Sequence, residues 1–557
     1  MAQAASGSDQ DVFNIAQTLT AAAAVDPDRL AVIARHLPDS RGRTVITYAQ
    51  LAEDSSRLAG GLLANGFEKG DRVVVMVPMG LDFYITVFAL FKAGLVPVMV
   101  DPGMGLRRML LCLSEGRPRG LIGIPLALVI SFLCPKYFRG IKKRAAAGRF
   151  PPFCGVKNLA RLLTNPPLPE QTCLAQDTAA VLFTSGATGP AKGAVYTHSM
   201  FRAQVESIRQ NFGMNYGGVD MATFPLFALF APALGLTSVI PNMNPIKPGQ
   251  ADPKKLIQSL VNEKCTSLFG SPALLKRLAV YGQEQKITLA GVRRIITAGA
   301  PVQPALAAEM ASLLEPGASL VTPYGATEGM PLTTVDAEEI AGARGMTEQG
   351  FGMCVGRPLP GISLAILPIT DQPLDSFKSE KILPMGEVGE ITASGPVICR
   401  GYFERPKETA MTLLTGPDGE VWRRMGDLGW VDAMGRLWFC GRKSQRVVTE
   451  QGTLFTVCCE SIFNNHPRVR RSALVGTGPA GRQKPVMVIE PNTRLSRAGW
   501  KALVEELKRL GSANPRTRTI EVFLRHKNFP VDIRHNAKIS REKLAVWAAK
   551  NLEGDRE

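Results

Sequence analysis

Paired cysteines and clustered histidines are missing from this sequence, and their absence limits the chemistry that the chain can support. The ten cysteines include no Cys-x-x-Cys pair, and the five histidines do not group with them. Structural zinc sites and disulfide frameworks rely on such patterns, so the sequence predicts neither. We therefore expect reduced thiols and a cytoplasmic protein.

Long hydrophobic runs are also lacking. The longest, residues 120–133, has about 14 residues and contains Pro125, so it is too short to span a bilayer. The first basic residue is Arg29, so the N-terminus lacks the charged region of a signal peptide. Because basic residues follow the run up to Arg149, two interpretations stay open. The segment contacts a membrane surface, or it is a buried strand and helix followed by a solvated basic loop.

The chain carries a net charge of +17 with a pI near 9.5, which suits an anionic partner. It has no zinc-finger, RNP-type or aromatic-interleaved basic motif, so we predict no nucleic-acid binding. An anionic nucleotide, a carboxylate substrate or an acidic protein surface would account for the charge equally well.

A length of 557 residues is too great for one core and predicts at least two domains. Apolar strand patterns at 72–77 and 96–100 enclose a helical pattern at 83–93, which indicates parallel units in a doubly wound α/β sheet. After residue 386 the strands become short and glycine-punctuated, and the end of the chain has the pattern of a small α+β unit. We place the boundary after residue 442, which gives domains 1–442 and 443–557.

Residues 184–193 form the most informative stretch of the sequence. They follow an apolar strand pattern at 179–183 and precede another extended segment at 194–197. Three glycines, three hydroxyls and Lys192 have the composition of a phosphate cradle. Lys192 is not followed by Ser or Thr, so the stretch is not a Walker motif. A plain surface hairpin is the alternative interpretation.

Four further short stretches occur in a fixed order after this loop: residues 322–328, 425–429, 441–444 and 530–541. Together with the loop, and over roughly residues 15–550, they resemble the adenylate-forming superfamily of acyl-CoA synthetases, luciferases and peptide-synthetase adenylation domains. The resemblance implies a large N-terminal AMP-binding domain of doubly wound sheets with a distorted barrel. It also implies a small, mobile α+β C-terminal domain.

The resemblance implies a role for each matching residue, with ATP and Mg²⁺ as ligands. Thr184, Ser185, Gly186, Thr188 and Lys192 would hold the β- and γ-phosphates. The adenosine would be bound by Gly299, Ala300, Pro301, Tyr324, Gly325, Asp427 and Arg442. Thr327 would contact the α-phosphate, Glu328 would hold Mg²⁺, and Lys538 would neutralise transition-state charge. Taken singly, Tyr324, Asp427 and Lys538 also fit ordinary structural or solvated roles.

Residues 223–236 and 529–538 are similar to the β-lactone synthetases of bacterial long-chain olefin biosynthesis. This likeness implies an apolar acyl site without charges, and core packing is the alternative for each member of the set. The predicted lining residues are Phe224, Phe227, Leu229, Phe230, Leu234 and Phe269.

Three departures from the wider superfamily put thioester formation with CoA in doubt. Ala228 stands where acyl-CoA synthetases commonly have histidine, and residues 447–448 lack the usual lysine. Only Glu460 remains of an acidic patch at 456–460. Separately from these three, Ser444 occupies the position of the hinge acid or lysine.

The expected function is ATP-dependent conversion of a 2-alkyl-3-hydroxy fatty acid to a β-lactone through an acyl-adenylate. The thiolase-like, reductase and β-lactone decarboxylase enzymes of the olefin pathway are implied as partners. A fatty acyl-CoA synthetase or acyl-AMP ligase is the alternative. A third interpretation, a catalytically weak scaffold or membrane-surface protein, is disfavoured because four predicted site residues are all retained: Lys192, Glu328, Asp427 and Lys538. No residue is identified as the general base for ring closure.

Overall fold

The computed structural model describes residues 11–151, 155–184, 191–531 and 539–554. The chain is an α/β protein, as predicted. Its strands are β1 Leu30–Ile33, β2 Val45–Thr47, β3 Arg72–Met76, β4 Val96–Val100, β5 Gly120–Gly123, β6 Lys143–Ala146, β7 Lys157–Asn158, β8 Thr178–Thr184, β9 Lys192–Thr197, β10 Val219–Ala222, β11 Thr237–Val239, β12 Ser267–Phe269, β13 Arg294–Ile296, β14 Ser319–Ala326, β15 Gly329–Asp336, β16 Met353–Cys354, β17 Arg357–Pro358, β18 Ser363–Leu367, β19 Gly389–Ser394, β20 Leu413–Thr415, β21 Val421–Val431, β22 Leu437–Arg442, β23 Val447–Thr449, β24 Gly452–Leu454, β25 Val469–Thr477, β26 Lys484–Pro491 and β27 Val522–Arg525.

Helices connect most of these strands. Their bounds are α1 Gln17–Val25, α2 Tyr48–Ala64, α3 Leu81–Lys92, α4 Leu106–Glu115, α5 Pro125–Leu133, α6 Leu159–Leu162, α7 His198–Asn211, α8 Pro225–Ala228, α9 Phe230–Ala233, α10 Pro253–Asn262, α11 Pro272–Glu284, α12 Pro304–Ala311, α13 Ala337–Gly342, α14 Arg344–Glu348, α15 Pro406–Ala410, α16 Thr456–Asn464, α17 Arg497–Ser512 and α18 Arg541–Gly554. Among the described residues, no helix is long and apolar enough to cross a membrane.

Two large sheets, each parallel at its centre, make up most of the structure. The first has seven strands in the order β7-β6-β5-β3-β4-β8-β9, and the second has nine in the order β17-β15-β14-β13-β12-β10-β11-β1-β2. Antiparallel pairs occur only towards the edges, such as β8 with β9 and β14 with β15. Such sheets bind ligands beyond the carboxyl ends of their parallel strands.

Local sequence signals explain where several helices begin. Thr47 and Gln50 form a reciprocal capping box at the start of α2, and Ser496 caps α17 by accepting from the Gly499 N–H. The α3 helix is buried along almost its whole length within the largest core cluster. This burial fits its almost unbroken apolar sequence.

A third sheet contains six antiparallel strands. Five of them lie side by side in the order β16-β22-β21-β19-β18, and β20 pairs with β21. It lies within residues 1–442, the part of the chain for which the resemblance implies a distorted barrel beside the doubly wound sheets. The C-terminal residues form the three-stranded sheet β25-β26-β27, which packs with α16, α17 and α18 around two core clusters of its own.

Candidate active site

One cavity of about 660 Å³ collects most of the predicted site residues. It lies at the carboxyl ends of β10, β12, β13 and β14 and is closed on another side by β21 and β22. The predicted residues that line it are Lys192, Phe224, Phe227, Leu229, Phe230, Phe269, Gly299, Ala300, Pro301, Tyr324, Gly325, Thr327, Glu328, Asp427 and Arg442.

The remaining predicted site residues are placed differently. Leu234 is 1% exposed and packs in the core behind the cavity rather than in its wall. Thr184 ends β8, and its side chain lies outside the described residues, as do Ser185, Gly186, Thr188 and Lys538. Ile539 and Arg541, which follow Lys538 closely in sequence, both line the cavity.

Asp427 is held between two partners on neighbouring elements. Its carboxylate accepts a hydrogen bond from the Tyr324 hydroxyl at 2.8 Å and lies 2.9 Å from the Arg442 guanidinium. Asp427 and Arg442 are direct partners across the β21–β22 pair, so the sheet register itself sets this ion pair. The Asp427 carboxylate raises the pKa of Arg442, and burial followed by Asp427 raises the pKa of Tyr324.

Glu328 belongs to a second group of charges in the same cavity. Its Oε1 accepts from the Tyr402 hydroxyl at 2.7 Å. The Arg423 guanidinium and the Lys192 ammonium lie 4.8 Å and 5.0 Å from the centre of the Tyr402 ring. Burial alone would raise the pKa of Glu328, but Arg423, Tyr402 and more distant groups together hold it below its ordinary value. Glu328 is therefore an ionised carboxylate beside several positive charges.

The turn that follows β14, with Thr327 and Glu328, is fixed by contacts to its backbone. The Tyr196 hydroxyl donates to the Thr327 carbonyl at 2.5 Å, and the Cys399 N–H donates to the Glu328 carbonyl at 2.8 Å. Gly325 has φ of +157°, and a Cβ there would lie 2.4 Å from the Gly329 carbonyl oxygen. Only glycine fits this approach of β14 to β15.

Aromatic rings form the apolar part of the cavity wall. The Phe227 and Phe269 rings stack with centroids 4.1 Å apart, and Phe224 and Phe230 lie 5.8 Å and 6.4 Å from Phe227. Ala228, at the position of the superfamily histidine, is fully buried and does not line the cavity. The acyl region therefore has no imidazole at this point.

Sequence reasoning missed several polar residues that line the cavity, among them Tyr402, Arg423 and Asp220. Arg423 is almost completely buried and donates to the Cys399 carbonyl at 2.8 Å. Its closeness to Asp427 along β21 was an available signal. Tyr402 gave none, because it reaches the site through the bridge between Ala194 and Tyr402, which are distant in sequence.

Asp220 lies on β10 and is 4% exposed. Its Oδ1 accepts from the Ser267 hydroxyl at 2.6 Å, and burial raises the pKa of Asp220 to about 6. In the unfolded chain this carboxyl titrates near pH 4. Between these two values the folded protein binds more protons than the unfolded chain, so its stability falls as pH rises through this window.

Asp220→Asn is accordingly expected to stabilise the protein at pH 7.5 by up to about 3 kcal/mol, and the gain should vanish near pH 4. The amide oxygen can still accept from Ser267, so packing is conserved. Urea unfolding at both pH values measures the effect, with the exposed Asp418→Asn as a control that should change little. An equal effect of Asp220→Asn at both pH values would show that burial does not shift this carboxyl.

Ion pairs surround the predicted domain boundary. Lys443 contacts Glu390 at 3.0 Å, and Ser444 lines the cavity beside it. Glu460, the acid that remains at 456–460, forms a 2.5 Å ion pair with Arg541 and accepts from the Leu474 N–H. Its contacts are thus within the C-terminal part of the chain.

A metal ion would have to be bound by His, Cys, Asp or Glu side chains of this chain. In the ranges that the structure describes, no three His, Cys, Asp or Glu side chains gather into a group that could hold a metal ion. Mg²⁺ commonly takes only one or two protein carboxylates and completes its octahedron with phosphate oxygens and water. A single ionised Glu328 fits that arrangement.

Comparisons with known proteins show the family and the fold of this chain. The profile of the AMP-binding enzyme family matches residues 19–403. An olefin beta-lactone synthetase from Xanthomonas campestris pv. campestris is 44% identical, covering 96% of this chain and 97% of the relative. One from Stenotrophomonas maltophilia is also 44% identical, over 97% and 99%. The ATP-bound crystal structure of MatB from Rhodopseudomonas palustris superposes with a TM-score of 0.75 at 20% identity, over 96% of this chain and 99% of that chain.

Proposed function

This chain belongs to the family of AMP-binding enzymes and is an acid-activating, AMP-forming enzyme of the β-lactone synthetase type, and we propose that its substrate is a 2-alkyl-3-hydroxy long-chain fatty acid. In this proposal the acid reacts with ATP to give an acyl-adenylate and pyrophosphate. The β-hydroxyl of the same molecule then displaces AMP and closes a β-lactone.

One cavity joins the two halves that this reaction needs, and this continuity supports the proposal most directly. Tyr324, Glu328 and Asp427 line it together with the stacked rings of Phe227 and Phe269. A nucleotide bound to the polar residues would therefore present its α-phosphate to a carboxylate whose alkyl chains lie among the rings.

The nucleotide is proposed to bind as follows. Asp427 accepts from the ribose hydroxyls, Tyr324 stacks on the adenine, and the backbone of residues 299–301 borders the adenine edge. Lys192 and the loop at 184–188 bind the β- and γ-phosphates, and Thr327 contacts the α-phosphate. The Arg442 guanidinium lies 2.9 Å from the Asp427 carboxylate and fixes its position, and a charged acceptor makes strong hydrogen bonds.

Mg²⁺ would be held by Glu328 together with phosphate oxygens, and it would neutralise charge on the departing pyrophosphate. Tyr402 orients the carboxylate by donating to Oε1 and leaves the other oxygen for the metal. Arg423 adds a fixed positive charge behind the ring of Tyr402. These residues are on three different strands or loops and meet only in the folded chain.

Tyr402→Phe tests the orienting hydrogen bond. Because the ring stays in place beside Lys192 and Arg423 while the donor is lost, we expect about a tenfold weaker apparent affinity for Mg²⁺. A Mg²⁺ titration of pyrophosphate release at fixed ATP measures this. Tyr281→Phe on α11, outside the cavity, is the matched control. Unchanged Mg²⁺ dependence in Tyr402→Phe would exclude the proposed role.

Ring closure follows from tethering. The substrate hydroxyl is already part of the acyl-adenylate, so only its orientation towards the carbonyl carbon is needed. A C–O bond forms in the lactone, the bond between the carbonyl carbon and AMP breaks, and the hydroxyl proton is released. The reactivity of the mixed anhydride offsets the strain of the four-membered ring. No thiol takes part.

The small C-terminal unit is proposed to be a mobile domain. We assign residues 1–442 to the AMP-binding domain and 443–557 to this unit, which would bring Lys538 to the carboxylate and α-phosphate during adenylation. With Ser444 at the hinge and no CoA step, rotation after adenylation would be reduced. Cleavage of the hinge by protease, with and without an acyl-AMP analogue, reports on this movement.

The cellular setting is proposed by similarity. We place the reaction in the cytoplasm, which fits the nine free cysteines among the described residues. The preceding enzymes would be thiolase-like and reductase enzymes that build the β-hydroxy acid, and a β-lactone decarboxylase would consume the product.

A pyrophosphate-release assay without CoA tests the proposed function. With a 2-alkyl-3-hydroxy fatty acid we expect continuous turnover and a product lighter than the acid by one water, with NMR shifts of a strained ring. A single-turnover burst that becomes continuous only after CoA is added would instead identify an acyl-CoA ligase.

A further inference from the structure

Residues 103–151 carry an unusually one-sided charge. They include ten lysines and arginines and a single acid, Glu115. This segment contains α4, β5, α5 and β6 and lies outside the cavity described above. The basic residues of this segment have no role in the proposed reaction.

Both helices of the segment lie on the same face of the seven-stranded sheet. The chain passes from β4 across β3 to β5 and then on to β6, so the connections through α4 and α5 run in one direction. Right-handed crossovers therefore place the two helices side by side. Their inner residues, including Leu110, Leu113 and Leu128, pack in a common core cluster with Phe138.

The outer face of this layer is apolar. Sixteen large apolar side chains are exposed in the part of the chain that the structure describes, and six of them lie between residues 106 and 133. On α5, Leu126 is 64% exposed and Leu133 is 75% exposed, and Val129 and Phe132 are exposed between them. Leu126, Val129 and Leu133 have the i, i+3, i+7 spacing of one helical stripe.

Exposed cations border this stripe. Lys136, Arg139, Lys142 and Arg149 follow α5, and Arg107 and Arg108 begin α4 beside the exposed Leu106. Within the described ranges none of these six cations makes an ion pair. Other basic residues of the segment do have partners, as when Arg144 lies 4.6 Å from the Phe132 ring centre and bonds Ser131.

We propose that the outer face of α4 and α5 binds the surface of an anionic lipid bilayer. The α5 helix has nine residues and is only about 13 Å long, so it would lie in the interface plane rather than cross the membrane. Its leucines would enter the acyl boundary while the neighbouring lysines and arginines contact acidic headgroups. The excess of ten lysines and arginines over one acid in residues 103–151, beside the exposed leucines of α5, is the combination that binds acidic bilayer surfaces.

Flotation of the full chain with phosphatidylcholine vesicles tests the proposal. The vesicles are prepared with and without about 30 mol% phosphatidylglycerol. We expect binding to the anionic vesicles that weakens as salt is raised. Leu126→Ser/Leu133→Ser should lower the partition coefficient at least about tenfold. Lys136→Glu/Lys142→Glu should lower it by at least about fivefold per charge.

Matched variants separate this surface from general effects. Val261→Ser/Val280→Ser removes exposed apolar groups from α10 and α11, and Lys254→Glu/Lys255→Glu reverses exposed charges on α10. Both should bind vesicles like the unmodified chain. All four variants should keep full pyrophosphate release with substrate supplied in detergent micelles, because none touches the cavity.

Two results would overturn the proposal. In the first, the chain does not float with anionic vesicles, or the α5 variants float as well as the controls. In the second, vesicle binding is absent and the α5 variants instead lose capture of a pathway enzyme, which would assign this face to a protein.

Discussion

Asp427→Ala is expected to lower kcat/KM for ATP by about a hundredfold or more. The change removes the acceptor proposed for both ribose hydroxyls. It also leaves the Arg442 guanidinium and the Tyr324 hydroxyl without the carboxylate that they contact at 2.9 Å and 2.8 Å. An unpaired, largely buried guanidinium would disturb the very part of the cavity that binds the nucleotide. Initial rates of pyrophosphate release across an ATP titration measure the loss.

Asp427→Asn serves as the informative partner variant, because its amide can still accept one hydrogen bond but lacks the charge that pairs with Arg442. It should fall between the alanine variant and the unmodified enzyme. The exposed Asp418→Ala is the control for a general loss of negative charge. If Asp427→Ala retained kcat/KM within about threefold, well below the cost of a lost charged hydrogen bond, the ribose assignment would be wrong.

Lys538→Ala should reduce kcat for adenylation by about a hundredfold to a thousandfold and change KM for ATP little. The reason is that this lysine is proposed to contact charge that develops only in the transition state. Single-turnover formation of acyl-AMP measures the effect. Lys527→Ala, an exposed lysine of the same C-terminal unit, should behave normally.

The same variant addresses the alternative in which the chain acts as a scaffold. A scaffold would be indifferent to Lys538, whereas the acid-activating enzyme loses its rate while its fold and vesicle binding persist. Full activity of Lys538→Ala would therefore remove this lysine from the mechanism and direct attention to other cations of the cavity, such as Arg423.

Much of the fold follows from signals that act over short distances. The capping box at Thr47, the cap at Ser496 and the apolar pattern of β3, α3 and β4 are local, and each predicts an element that the structure contains. The strand β14 includes most of the predicted site stretch at 322–328, because it continues to Ala326 and pairs with β15. Pairing partners of that kind are not encoded in the strand itself.

The candidate site, too, could be predicted only where its residues carry a local sequence signal. Stretches such as the one around Asp427 can be recognised in the sequence, because their backbone conformation requires glycines at particular positions. Tyr402 and Asp220 have no such sequence signal. Tyr402 reaches the cavity through a bridge to β9, and Asp220 occupies an ordinary strand position that lines the cavity. Leu234 has the apolar character expected of an acyl site but packs behind it, because composition does not tell a cavity wall from a core.

The central claim is that the carboxyl group is activated and the β-hydroxyl is the internal nucleophile. Oxygen labelling tests it directly, using substrate with ¹⁸O in the carboxyl group or in the hydroxyl, and mass spectrometry of AMP and lactone. We predict that AMP gains label from the carboxyl group and that the hydroxyl label stays in the lactone ring. Hydroxyl label in AMP, with both carboxyl oxygens kept in the product, would show that the hydroxyl is the group activated and would contradict the account.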